Sequence, residues 1–283
     1  MALRVRIETV AIALLVLATA YACATPPRRD DVAALNYGTC PVNYLERAKA
    51  EFRDDALYSY GGDPIVFPPQ KFWYREPALR GGALLAGYVV PVSVDVKRRG
   101  LAFSLGRQTF GLLFSNNEVI KKIEPAEFET IDIRQTVGPL PRDERDWKVG
   151  FSDSKGNRIL TELVPPGETV QNWSELITTQ TFVNVRPAVT LDSFVQAYRA
   201  SFAKGCRDVK WVILSQSPHE ILLERHASAC APVRDEYAIE KLIRGVRTLN
   251  SVAYARATPF SGGERQKWLD IVSKSRLTGD CPQ

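Results

Sequence analysis

Between Gly87 and Lys97, Tyr88, Val90, Val92, Val94 and Val96 alternate with Pro91, Ser93 and Asp95, the period of a strand with one buried face. Pro91 has no N–H to give a ladder, which predicts an edge strand or a bulge. Thr109–Ser115 and Glu118–Glu124 read as two strands joined by Asn116-Asn117, because Asn tolerates positive φ in a tight turn. Lys148–Phe151 and Arg158–Val164 flank the turn Ser154-Lys155-Gly156-Asn157. Val209–Ser215 and Glu220–His226 flank a turn containing Pro218. Ile239–Arg244 and Ser251–Ala257 flank Gly245–Asn250.

Helical spacing interrupts these strands three times. Pro41 to about Ala56 places Tyr44, Leu45, Ala48 and Phe52 on one face, with Pro41 in the first turn. Thr190–Lys204 places Leu191, Phe194, Val195, Tyr198 and Phe202 on one face; Thr190 caps the start and Gly205 ends it. Ser261-Gly262-Gly263-Glu264 is a capping box that opens a last helix through Trp268, Leu269 and Val272. The expected fold is α+β: two domains, each an antiparallel sheet with packed helices. They span 36–138 and 147–283. The linker 139–146 contains Pro139, Pro141 and the charged run Arg142-Asp143-Glu144-Arg145-Asp146.

The first residues have a different character. Arg4 and Arg6 precede Val10–Ala22, thirteen uncharged and mostly aliphatic residues, and Ala20-Tyr21-Ala22 supplies small residues at a cleavage position. This is the pattern of a secretory signal over 1–22, and the run is short for a membrane span. Residues 23–35 then read as a polar tether, with Pro26, Pro27, Arg28, Arg29, Asp30 and Asp31. Cys23 follows the small residues and is the lipidation candidate; simple cleavage and an uncleaved anchor are the alternatives.

Cysteine number bears on that choice. Five is odd, and lipidation of Cys23 leaves four. Cys206 and Cys230 lie equally far from the hairpin centre near Pro218, so they oppose one another on two arms and are expected to bond. Cys40 and Cys281 then form the second pair, or remain separate thiols.

Composition narrows the function classes. The 283 residues are 45% hydrophobic and 24% charged, which excludes a disordered chain and a multi-span membrane protein. Residues 23–141 carry 15 Lys/Arg against 14 Asp/Glu, and 142–283 carry 20 against 17. Neither half has the basic excess of a nucleic-acid binder.

Two stretches carry a resemblance. Asn36-Tyr37-Gly38-Thr39-Cys40-Pro41 with the helix after it, Gly81-Gly82, Gly87-Tyr88-Val89-Val90-Pro91-Val92 and Phe110 to Asn117 resemble uncharacterised exported bacterial lipoprotein-like proteins. Gly167-Glu168-Thr169 with Asn172-Trp173-Ser174-Glu175, leading into a strand to Phe182, is similar to a second exported module. Its signature is Gly-Glu-Thr…Asn-Trp-Thr-Glu, and Ser174 stands where Thr is usual. The resemblance implies an envelope location and brings no chemistry with it.

Candidate chemistry is sparse. Ser201-Phe202-Ala203-Lys204 matches S-x-x-K, but the companion elements of the serine enzymes that use it are absent, and Lys204 suits a helix C-terminus. His219 and His226 are seven apart on one strand, hence on opposite faces, and share no metal. No metal or cofactor motif is present. Lys97, Arg98 and Arg99 would meet Lys121 and Lys122 if their strands were neighbours, forming a contact for anionic headgroups or cell-wall polymers. The other reading is a charge-guarded sheet edge. Phe72, Trp73 and Tyr74, beside Pro68 and Pro69, form either a partner surface or a core lid. Gly167–Glu175 is either a functional loop or a turn anchored by Trp173.

These residues point to an exported, lipid-anchored cell-envelope protein. It would act by binding or structural support, with no cofactor. Its expected partners are the membrane, through the lipid, and an envelope protein or cell-wall polymer, and not nucleic acid. The alternative is a periplasmic hydrolase or ligand-processing enzyme with a dispersed site. A subunit of a larger envelope assembly is a third reading.

Overall fold

The computed structural model describes residues 35–53, 58–76, 84–99, 104–128, 135, 137–138, 140–186, 188–230 and 235–281. The proposed signal peptide, Cys23 and the chain up to 34 lie outside the described residues.

Strand dominates, at 53% of the described residues against 17% helix, in three antiparallel sheets. This corrects the α+β expectation. The described helices are α1 (Tyr44–Ala50), α2 (Pro125–Phe128), α3 (Leu191–Gly205) and α4 (Gly262–Ser273). Two physical causes shift the balance. The hairpins run on past the clear alternation: the arm read as Lys148–Phe151 continues to Lys155. The first helix also shrinks, because Asn43 sits at φ 52° and Pro41–Asn43 therefore cannot join an α-helix. Tyr44, Ala48 and Phe52 still meet the core, whereas Leu45 is 49% exposed.

Contacts divide the chain into two units. The smaller takes Met1–Tyr37 and Trp73–Ala86; the larger takes Gly38–Phe72 and Gly87–Gln283. The smaller unit's described residues include the last part of β2 (Gln70–Arg75) and the start of β3 (Leu84–Arg98).

The first large sheet has the order β1-β3-β4-β5, with β2 also paired to β3. Its other strands are β1 (Tyr58–Val66), β4 (Ser104–Ser115) and β5 (Glu118–Ile123). Strand β3 is therefore interior, not the edge that Pro91 suggested. Proline is tolerated because the Pro91 carbonyl accepts from Phe67 N at 2.9 Å, just beyond the end of β1. The absent N–H points to the same side, just past the end of β1. Burial on both faces also explains why Val89 to Val94 are all inaccessible. Val90, Val92, Val94, Phe110, Leu112 and Phe114 pack on Ala48 and Phe52 on one face. On the other face, Gly111 leaves room for Phe128: a Cβ there would lie 2.6 Å from the ring. The Asn116-Asn117 turn has φ 48° and 69°, as its residues predict.

A seven-stranded sheet runs β10-β11-β12-β13-β9-β8-β7. In chain order these are β7 (Lys148–Lys155), β8 (Arg158–Val164), β9 (Glu175–Val183), β10 (Cys206–Gln216), β11 (Glu220–Cys230), β12 (Glu236–Arg244) and β13 (Thr248–Arg256). Helix α3, with Thr190 and Ser193 in a reciprocal cap, lays Leu191 and Val195 on Ile221, Leu223, Leu242 and Leu249. Helix α4, capped by Ser261 and Glu264, sets Trp268 and Val272 against Ile177, Ile239 and Tyr254 on the opposite face. A two-stranded ladder joins β6 (Val137–Gly138) to β14 (Arg276–Leu277).

Candidate functional site

Where β9 ends, Asn184 takes φ 57° and turns the chain toward the β12–β13 turn. Val185 N donates to Arg247 O at 2.9 Å. The buried Arg244 guanidinium spans both segments, donating to Thr248 O at 2.8 Å and to Arg186 O at 3.0 Å. Val246 N is held by the Gln135 side chain at 2.7 Å. These bonds make one wall from two loops. The facing wall is β4 with α2. A cavity of about 350 Å³ lies between, lined by Arg107, Gln108, Thr109 and Phe128 on one side and Asn184, Arg186 and Arg247 on the other.

Among the described residues, three guanidiniums line this cavity and no carboxylate does. Arg107 holds Asp95 through Nε–Oδ1 at 3.0 Å and Nη2–Oδ2 at 2.7 Å, a bond that keeps the Asp95 carboxyl below its ordinary range. Burial lowers the proton affinity of Arg244. His219, edge-on to Phe67 at 6.2 Å, is pushed down first by burial and then by Arg107 and Arg244, so its ring stays neutral.

A second cavity of about 330 Å³ adjoins the first, sharing Gln108 and Pro125 with it. Its walls are Tyr58, Tyr60, Phe110, Leu105 and Lys122. The Lys122 ammonium lies 4.6, 4.9 and 4.7 Å from the Phe52, Tyr60 and Phe110 ring centres and reaches the Tyr60 hydroxyl at 3.2 Å.

The residues singled out by sequence lie elsewhere. Phe72, Trp73 and Tyr74 are half-buried on β2. Lys97, Arg98 and Arg99 are exposed at the end of β3 and do not meet Lys121 and Lys122. Strand β4 intervenes, and Lys122 pairs through Leu112 with Val90. Lys97 is seven residues further along, roughly 23 Å at roughly 3.3 Å per residue. Ser201 and Lys204 are both exposed on α3. His226 stacks on its cross-strand neighbour Tyr237 at 4.0 Å, away from His219. The Gly167–Glu175 turn closes on itself: Glu168 accepts from Ser174 N and Oγ, both at 2.6 Å, and Trp173 packs with Val164, Leu176, Ala238 and Ala255. No group of three or more His, Cys, Asp or Glu among the described residues is placed to hold a metal ion.

Both cysteine pairs are bonded. Cys206 and Cys230 are register partners, with Cα atoms 4.0 Å apart. Cys40 meets Cys281 at 5.7 Å. Asp280 positions that end of the chain, its N–H on Pro69 O at 2.9 Å and its carboxylate on Lys71 N at 2.6 Å. Two disulfides are compatible with an exported protein that folds in an oxidising compartment.

Sequence reasoning missed the wall that Arg244 builds. A usable signal was present: Arg244 directly follows Leu242-Ile243 at the end of β12, where an arginine beside core residues is a buried donor looking for carbonyls. No family model, curated protein or solved structure matches the chain.

Proposed function

We propose that the chain is an exported cell-envelope protein, lipid-anchored at Cys23, that works as a binding module with the cavity between its two large sheets as the ligand site. The observation that carries this reading is the lining of that cavity. Two loops cross-tied by Arg244 present Asn184, Arg186 and Arg247, and the facing strand β4 adds Arg107 and Gln108, with no carboxylate or imidazole in the lining among the described residues. Such a wall recognises; acid–base catalysis needs a proton acceptor within reach of the bound molecule. The export half of the reading is supported by the N-terminal pattern around Arg4, Arg6 and Val10–Ala22, by the resemblance to exported lipoprotein-like modules, and by the two disulfides.

The test is the intact mass of the N-terminal peptide and the thiol count from membrane and soluble fractions. A diacylated Cys23 with four oxidised cysteines is the expected result. A retained Met1 with reduced thiols in the cytosolic fraction overturns the export reading.

A further inference from the structure

We propose that the cavity between β4 and the Asn184–Arg186 loop binds an oxyanion, a phosphate or carboxylate group on a small molecule or headgroup. This rests on the reading of the cavity as a ligand site and names its chemistry.

The loop wall carries positive charge that its bonded partners leave uncompensated. Arg107 is matched by Asp95. Arg186 is exposed and has no ion-pair partner among the described residues. Arg244 lies just behind Arg186. It is buried and donates to two backbone carbonyls, with no carboxylate among the described residues bonded to it. A buried guanidinium paired only with carbonyl dipoles leaves its full charge in the wall. Arg247 lines the cavity as well, and the uncompensated charge is that of Arg186 and Arg244. An anion entering here gains charge-assisted hydrogen bonds from donors whose loops are already fixed, so little ordering cost opposes it. Gln108 and Thr109 supply neutral donors on the facing strand, suited to the remaining oxygens.

Size and surroundings restrict the ligand. About 350 Å³ admits a small molecule or a headgroup and not a duplex. Charge-assisted binding of this kind should weaken with salt.

Titration calorimetry on the disulfide-bonded mature chain tests this, with pyrophosphate and citrate as separate probes at low salt. At least one of them should bind. Arg186→Glu should weaken binding about tenfold or more, Arg186→Lys should retain part of it, and Arg207→Glu, on exposed β10, should leave it unchanged. Anionic phosphatidylglycerol vesicles, with phosphatidylcholine as control, separate the sources. Binding to the anionic vesicles that pyrophosphate competes away identifies a lipid headgroup, and binding of the free anion alone identifies a soluble one. A folded chain that binds neither probe, or whose Arg186→Glu variant binds them equally well, overturns the oxyanion assignment. Protection of the cavity loops from hydrogen exchange by a neutral oligosaccharide, with no response to either anion, would end that assignment while leaving the binding-module reading in place.

Discussion

Trp147 donates its indole N–H to Asp143 at 2.8 Å, and this bond fastens the charged run before β7 to the seven-stranded sheet. Lys267 of α4 reaches the same carboxylate at 2.6 Å, and Arg145 binds it at 2.8 Å while also holding Glu175 at 2.7 Å. Trp147 then stands edge-on to Trp268, which lies flat on Tyr254 at 3.5 Å.

Asp143 should therefore govern part of the acid stability. Burial raises its carboxyl, but the bonds from Lys267, Trp147 and Arg145 outweigh that and bring it down to about 2. The side chain is only 6% exposed. A depressed carboxyl stabilises the fold above its unfolded value near pH 4 and loses that contribution as pH falls through about 2, because the unfolded chain binds the proton first. The loss is on the order of 2 kcal/mol. Urea unfolding between about pH 6 and about pH 2.5 should show a shallower acid slope in Asp143→Asn than in the parent. An unchanged slope would contradict this assignment.

Arg225 and Glu240 should behave as a coupled buried pair. Arg225 is 3% exposed; it bonds Glu236 at 2.6 Å, approaches Glu240 at 3.6 Å, and lies 4.2 Å from the Phe202 ring. Burial pushes the Glu240 carboxyl up, and Arg225 and the Ser251 hydroxyl pull it back. Arg225→Met strands Glu240 at 0% exposure and should cost about 3–5 kcal/mol. Adding Glu240→Met should recover part of that cost in a double-mutant cycle read by denaturant unfolding. Additive losses would show that the two side chains do not interact.

The disulfides should differ in worth. The Cys206–Cys230 loop has a separation of 24 residues and Cys40–Cys281 one of 241. Loop-closure entropy assigns about 3.5 kcal/mol to the first and about 5.5 kcal/mol to the second. Replacing each pair by serine should lower the melting temperature in that order; the reverse order would point to an effect in the folded state.

Gly87 should tolerate no side chain. A Cβ there would strike the Phe114 carbonyl, a backbone group of the paired strand β4 that cannot swing aside. Gly87→Ala should destabilise by at least about 1–3 kcal/mol, measured by the same unfolding curves. Gly262→Ala, with open space around it at the start of α4, should be neutral or slightly stabilising.

Local signals account for much of what could be read early. The Asn116-Asn117 hairpin and the caps at Thr190 and Ser261 depend on residues a few positions apart, and each was visible in the sequence. The Cys206–Cys230 bond follows from symmetry about a single turn. Pro91 misled because a missing N–H shows only that one neighbour is absent at that residue, and not that the strand is an edge. The fold class failed for a related reason. Alternation fades in strands buried on both faces, so β3 is longer than its clear pattern and strand is under-read.

The chain's local chemistry determined by itself where its turns fall, which residues cap its two longer described helices, and which cysteines oppose across the β10–β11 hairpin. Tertiary structure decided the rest: that Lys97 and Lys122 are kept apart by register, that Asp143 is bonded into an aromatic cluster, and that Arg107, Arg186 and Arg247 meet around one cavity. The physical reason is range. Turn and cap energies act over three or four residues, whereas the electrostatics of the cavity depend on which distant strands pair and which carboxylates they leave behind.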